Sequence, residues 1–297
     1  MPTNEQRRAT AKRKLERQLE RRAQQEKRQR LFVVIGGVVA IAVAAALIVT
    51  FVLTNKDGKD TKTASGATST APVDAGGGPS TSPPATGGLP PFKAAANLGA
   101  NCQYPASSEP AAKKVDAPHS GKVPTSPPTV TASMSTNEGN LGLVLDNAKT
   151  PCTVNSFASL AQKGYFNDTP CHLLTTSPSL SVLQCGDPTG QGTGGPGYQF
   201  ANEYPTDQYP ANDPALQQPV TYPRGTLAMA NAGPGTNGSQ FFLVYKDSQL
   251  PPNYTAFGTI DATGLATLDK IAAAGVAGGG QDGKPATDVR IKSILLD

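Results

Sequence analysis

The chain has no tryptophan, two histidines, three methionines and four cysteines among its 297 residues, and only 16 % of it is charged. Each scarcity removes a class of chemistry. With His119 and His172 the only imidazoles, a histidine-built zinc centre or a Ser-His-acid relay has almost nothing to draw on. His119 sits in a Pro-rich stretch and reads as inert, and Ser239, in "NGSQF", lacks the G-x-S-x-G frame of a nucleophile elbow. The cysteines have no C-x-x-C spacing, which argues against a zinc ribbon or a dithiol redox motif. No metal and no cofactor are expected.

What is abundant is glycine (31) and proline (27), and what charge there is lies unevenly. Residues 1–30 hold eleven Lys/Arg against four Glu. Residues 31–53, "LFVVIGGVVAIAVAAALIVTFVL", hold no charge, and these 23 residues, as a helix, would span about 35 Å, enough to cross a bilayer core. A cleaved signal peptide is the rival reading, but its apolar region is shorter, roughly 7–15 residues, and ends at a small-residue site. This run is longer and ends "IVTFVLTNK". An uncleaved single-pass anchor in the cell membrane is expected, with the basic tail cytoplasmic and everything after Leu53 outside. The bland reading of the tail, a solvated topology signal drawn to anionic lipid, is preferred to a nucleic-acid arm. Beyond residue 53 there remain 15 Lys/Arg against 18 Asp/Glu, so no basic surface advertises nucleic acid there.

Residues 54–91 are rich in Pro, Gly, Ser and Thr and read as a flexible linker. Residues 92–128 form an extended arm in which Phe92, Leu98, Cys102 and Tyr104 could pack on the domain C-terminal to it. That domain is expected over 129–297. Its strands are "TVTASMST", "LGLVLD", "CHLLTT", "LSVLQC", "GTLAMAN", "QFFLVY", "AFGTI" and "VRIKSILL". "TPCTVNSFASLAQKG" reads as a helix capped by Thr150, opened by Pro151 and closed by Gly164, with Val154, Phe157, Ala158 and Ala161 as its apolar stripe. A second helix, "GLATLDKIAAAG", sets Leu265, Leu268, Ile271 and Ala272 on one side. The fold class is mainly β: a closed eight-stranded antiparallel barrel capped by two helices. A barrel of that size has a filled interior, so a binding site belongs on its outer face or rim.

"GQGTGG" satisfies G-x-G-x-x-G at Gly190, Gly192 and Gly195, but Pro196 and Gly197 come next, where a phosphate-binding helix would have to open. It reads as a Gly-rich loop. Cys171 and His172 are neighbours on a strand and point to opposite faces, which disfavours a thiol–imidazole pair. All four cysteines fall after the span, where thiols oxidise. Cys171 and Cys185 lie on what should be adjacent antiparallel strands, leaving Cys102 to tie the arm to Cys152; four cysteines still allow three connectivities.

The most informative stretch is "MANAGPGTNGSQFF", Met229–Phe242. It places turn formers and side-chain amides between two core strands and beside large rings, the chemistry of a groove that grips an extended peptide. With "LPPNYTAFGTI" it closely resembles the signature of the cyclophilins, a family of peptidyl-prolyl cis–trans isomerases, and the likeness runs from about Thr129 to Asp297. The order of basic tail, single span, tether and C-terminal domain is similar to that of membrane-anchored bacterial cyclophilins. The resemblance implies that the partners are Pro-containing segments of exported proteins and that no cofactor is needed. It implies a proline pocket walled by Phe242 with Leu250, and a peptide-binding edge at Ala230 and Asn231. Gln184 would orient the bound carbonyl, and Ala232 and Gln240 would border a neighbouring subsite. Tyr254 stands where many relatives have His, and Gln249 where drug-sensitive relatives have Trp. Leu180 and Val182 match the pocket residues on the strand before Gln184.

The catalytic set implied is His172, Gln184 and Asn231 with the residue at position 173. There the family carries arginine and this chain carries Leu173. A prolyl bond resists rotation by about 18–20 kcal/mol because the nitrogen lone pair is delocalised into the carbonyl. A guanidinium aimed at the twisted amide localises that pair, stabilising the transition state above either ground state. Leucine has no donor, and Arg224 is the nearest candidate replacement in sequence. Groove binding with weakened turnover is therefore expected, either in an isomerase or in a module that chiefly holds Pro-containing segments. The alternating pattern further expects Leu173 to share a strand face with Cys171 and Thr175.

Overall fold

The computed structural model describes residues 87–297. The basic tail, the apolar span and most of the linker lie outside the described residues; among those described, no helix is long and apolar enough to cross a membrane.

The architecture is a curled antiparallel sheet with two helices. In chain order the strands are β1 (Val130–Thr136), β2 (Asn140–Leu145), β3 (Thr169–Pro170), β4 (Leu173–Ser177), β5 (Leu180–Cys185), β6 (Val220–Tyr222), β7 (Thr226–Met229), β8 (Phe241–Val244), β9 (Ser248–Leu250), β10 (Ala256–Ile260), β11 (Asp282–Gly283) and β12 (Arg290–Leu296). Ten of them form one sheet in the order β11-β4-β5-β8-β7-β10-β2-β1-β12-β3. The curl is severe, because β3 at one end of that order and β4 near the other are separated along the chain only by Cys171 and His172. The eight expected strands are all present. The additional ones are β3 and β11, of two residues each, and β6 and β9, which pair as a separate ribbon; such short segments carry too few residues to show an alternation.

Inside the curl, alternate residues such as Leu141, Leu143 and Leu145 of β2 meet Leu183, Leu227, Phe241, Leu243 and Phe257 in one core. Helix α1 (Pro151–Gln162) lies against β12, and α2 (Ala262–Ala274) against β2. In α1 the buried positions include Val154, Phe157, Leu160 and Ala161, with the expected Ala158 half-exposed and Leu160 taking its place in the core. Thr150 stands at the N-cap but makes no side-chain cap; its hydroxyl donates to the Asp146 carbonyl. The free N–H groups of the first turn are met instead by the Glu203 carboxylate, which accepts from Cys152 N at 3.0 Å and Thr153 N at 2.7 Å. Burial raises the Glu203 pKa, and the bonds from Thr153 and Cys152 offset part of that, leaving it at about 7. Gly164 ends the helix region at φ +63, as its position suggested.

The arm is part of the folded body. Cys171–Cys185, the pair expected from the strand order, and Cys102–Cys152, the pair that it leaves, are both disulfides. Cys102 and Tyr104 are buried, and the Tyr104 hydroxyl donates to the Cys152 carbonyl at 2.7 Å. Contact begins before residue 92: Thr221 N donates to Gly87 O, and the Tyr204 hydroxyl to Pro90 O at 2.7 Å.

Candidate functional site

Antiparallel register places Leu173 opposite Gln184, Gln184 opposite Phe242, and Phe242 opposite Ala228. Paired residues share a face of a sheet, so these four form a row on the outside of the curl, behind the core row Leu174, Leu183, Leu243 and Leu227. Around Phe242 the outer face is apolar. Val182, Val244, Tyr222, Tyr204, Ala228 and Ala256 pack with it, and Leu180, Ala230, Leu250 and Tyr254 border it half-buried. The Tyr254 ring meets the Phe242 ring edge-on with centroids 5.8 Å apart. Phe242 is 4 % exposed, so it is a floor of the patch rather than a rim.

A polar frame adjoins this patch. Gln184 Nε2 donates to Gln240 Oε1 at 2.9 Å, and Gln240 Nε2 donates to the carbonyls of Gly192 and Gly194, each at 3.0 Å. Ala230 N donates to Gln240 O at 3.0 Å, which carries the strand pairing into the loop. Asn231 Nδ2 donates to Asn253 O at 2.9 Å, and Asn231 Oδ1 accepts from Gly233 N. Gln184, Ala230, Asn231, Ala232 and Gln240 also line a cavity of about 380 Å³ between the Gly-rich loop and the Met229–Phe242 loop. Every expected peptide-binding residue thus falls on one of two adjoining features, with Ala230 common to both.

The Gly-rich loop is built around a residue that sequence reasoning passed over. Asp187, fully buried, accepts from the backbone N–H groups of Thr189, Gln191, Gly192 and Thr193 and from the Thr189 hydroxyl. Burial acts to raise its pKa, but the backbone bonds from Gly194, Thr189 and Gly192 and the Thr189 hydroxyl prevail and lower it. The loop so held presents the Gly192 and Gly194 carbonyls that fix Gln240. Asn237 is a second hub, buried and donating to the carbonyls of Phe200 and Ala201. Gly186, at φ +91, has no room for a side chain, since a Cβ there would strike the Ser239 carbonyl.

One expectation about position 173 needs correction. Leu173 does not share a face with Cys171. Cys171 and Leu174 both lie in the interior core, because the strict alternation breaks between β3 and β4, where Cys171 N donates across to Val289 O and His172 N to Gln184 O. Leu173 faces outward with Gln184 and Thr175. Arg224 is committed elsewhere. Its guanidinium makes a two-pronged contact with Asp269 of α2, 2.8 Å on each side, and donates to the Tyr245 carbonyl. It lines a different cavity from the polar frame. His172 is half-buried beside the Gly-rich loop, where a Cβ on Gly192 would come within 3.5 Å of its ring. Its Nδ1 has no hydrogen-bond partner, and burial lowers its pKa although Asp187 pulls the other way. Its ring thus borders the loop at Gly192.

The family described as cyclophilin type peptidyl-prolyl cis-trans isomerase/CLD matches residues 131–295. The chain is 64 % identical over its whole length to the "Probable peptidyl-prolyl cis-trans isomerase B" of Mycobacterium leprae, covering all of that protein. It is 65 % identical, again over its whole length, to the protein of the same description from Mycobacterium tuberculosis, covering 95 % of it. A crystal structure of a cyclophilin type peptidyl-prolyl cis-trans isomerase from Cryptosporidium parvum, in the presence of the dipeptide Ala-Pro, is 31 % identical with a TM-score of 0.45, over 56 % of this chain and 98 % of that one. The chain belongs to the cyclophilin-type peptidyl-prolyl cis–trans isomerases.

Proposed function

We propose that the outer row is a prolyl-peptide groove, with the substrate proline against Phe242, Val182, Leu250 and Tyr254 and the peptide backbone along Ala230 and Asn231. The single observation that carries this is the continuity of the apolar patch with the amide frame of Gln184, Gln240 and Asn231. A proline ring needs an apolar seat, while its flanking amides need polar partners. Gln184 lies between position 173 and Phe242 in the row, so it is placed to hold the carbonyl whose amide twists.

Turnover in this groove is weakened, because position 173 carries no donor and Arg224, the nearest candidate in sequence, is paired with Asp269. Loss of one donor aimed at developing charge typically costs about 10²–10³ in rate. The physiological role is assistance to exported proteins, whose prolyl steps otherwise take tens to hundreds of seconds, by a domain held outside the cell membrane through residues 31–53. The leucine supports a second reading, in which holding Pro-containing segments outweighs turning them over. A protease-coupled prolyl-peptide assay on the purified chain separates the two: a rate at least an order of magnitude below an arginine-bearing relative is expected, and full turnover would refute the weakening. Protease added to intact cells is expected to release the domain; protection until lysis would overturn the orientation.

A further inference from the structure

The cavity beside the proline pocket has a wall that the family match does not cover. Ser107, Glu109 and Pro110 of the arm line it together with the Gly-rich loop, and all three precede the matched residues 131–295. The arm is fastened there along its length. Cys102 is bonded to Cys152, Gln199 N donates to Pro105 O, Ser107 N to Gly197 O at 3.0 Å, and Ala112 N to Gly195 O at 2.8 Å. Just beyond, Lys113 Nζ is committed to the carbonyls of Gly164, Tyr165 and Asn167. A segment pinned on both sides holds its side chains at the cavity without paying the full ordering entropy on binding.

Among the described residues lining that cavity, Glu109 is the one that carries charge. Asp187 lies beneath the loop, but its carboxylate is already met by backbone N–H groups. The remaining lining is glycine, alanine, small polar side chains and amides, with Pro110 and Tyr198. We propose that Glu109 makes this cavity a subsite for a basic side chain, Lys or Arg, flanking the proline of the bound peptide, so that the arm is a specificity-determining part of the groove. A long basic side chain fits the chemistry: its methylene stem runs over the Gly192–Gly195 backbone and its head meets an exposed carboxylate. The inference rests on the reading of the outer row as a prolyl-peptide groove.

The test is fluorescence anisotropy with the purified full chain in detergent. The probes are labelled Ala-Pro peptides carrying Lys, norleucine or Glu at each position within three residues of the proline. At one of those positions the Lys peptide is expected to bind about fivefold tighter than the Glu peptide at low ionic strength, the difference shrinking as salt is added. Glu109→Gln should abolish the preference and Glu109→Lys reverse it, while the norleucine peptide binds all three proteins alike. A Lys preference that survives Glu109→Gln, or Phe242-dependent binding that ignores peptide charge, overturns the inference and leaves the groove intact. Failure to bind any Ala-Pro peptide, or binding indifferent to Phe242→Ala, overturns the groove itself and the inference with it.

Discussion

Leu174, Leu183, Leu243 and Leu227 form one row across β4, β5, β8 and β7, and Leu173, Gln184, Phe242 and Ala228 form the row behind it, one residue along each strand. The inner row is four leucines, none more than 1 % exposed. The outer row changes character at every strand: a half-buried leucine, a half-buried amide, a buried ring and a buried methyl. On the groove reading proposed above, the same four strands supply packing on one face and recognition on the other. Uniformity suits the interior, where any apolar side chain of the right volume satisfies the same requirement. A groove needs a different partner at each point along a peptide, so its row is heterogeneous.

Truncation should separate the rows most strongly. Phe242→Ala and Leu243→Ala remove adjacent buried side chains of opposite faces, and denaturant unfolding should show losses of about 3–5 and 2–5 kcal/mol respectively. Under conditions where both remain folded, only Phe242→Ala should lose Ala-Pro affinity, by about 2–4 kcal/mol. Equal loss of affinity in both would mean that the two faces are not functionally distinct.

Neither row holds an ionisable group, so pH should act on stability from elsewhere, through Glu203 at the start of α1. Its folded pKa, about 7, lies above the usual carboxylate value of 4.5. The folded state then binds more protons than the unfolded state between those pH values. The stabilising contribution of the protonated group is full below about pH 4.5 and is lost as pH rises through 7. The difference between wild type and Glu203→Gln should show wild-type stability falling on the order of 3 kcal/mol across that window, while Ala-Pro affinity stays flat. Parallel pH profiles for the two proteins would remove Glu203 as the cause.

Leu173→Arg sharpens the comparison within the outer row. Leu173 is half-buried and faces outward beside Gln184, so an arginine stem has a surface to lie on. The expected gain in kcat/KM approaches about 10²-fold, or ~2.7 kcal/mol of transition-state stabilisation, with little change in ground-state affinity. A folded, binding but equally slow variant would favour the holding role. A wild type already as fast as the variant would require another donor, and Arg224, tied to Asp269, would be the first to substitute.

The alternation of apolar residues made the long strands and their inner faces legible, and the apolar spacing with Gly164 and Pro151 marked α1. The outer apolar patch was legible only in part. Phe242, Leu250 and Tyr254 were picked out through the signature they belong to, whereas Tyr204 and Tyr222 come from segments whose local pattern names no face. The true cap of α1 was beyond local reading for the same reason: Glu203 lies fifty residues from the N–H groups it accepts from, and cap rules see only the nearest few positions.

By itself, then, the order of residues determined which faces could be buried, where the chain must turn, and that position 173 has no donor to offer, since these depend on side-chain chemistry and short-range backbone preference. Tertiary structure alone decided three other things. The break between Cys171 and Leu173 arises because β3 pairs with β12 while β4 pairs with β5, a consequence of the sheet curling. The commitment of Arg224 to Asp269, and the seating of Glu109 against the Gly-rich loop, bring together groups 45 and more than 80 residues apart. Such meetings depend on loop closure and on the burial that offsets its entropy, and no local pattern encodes them.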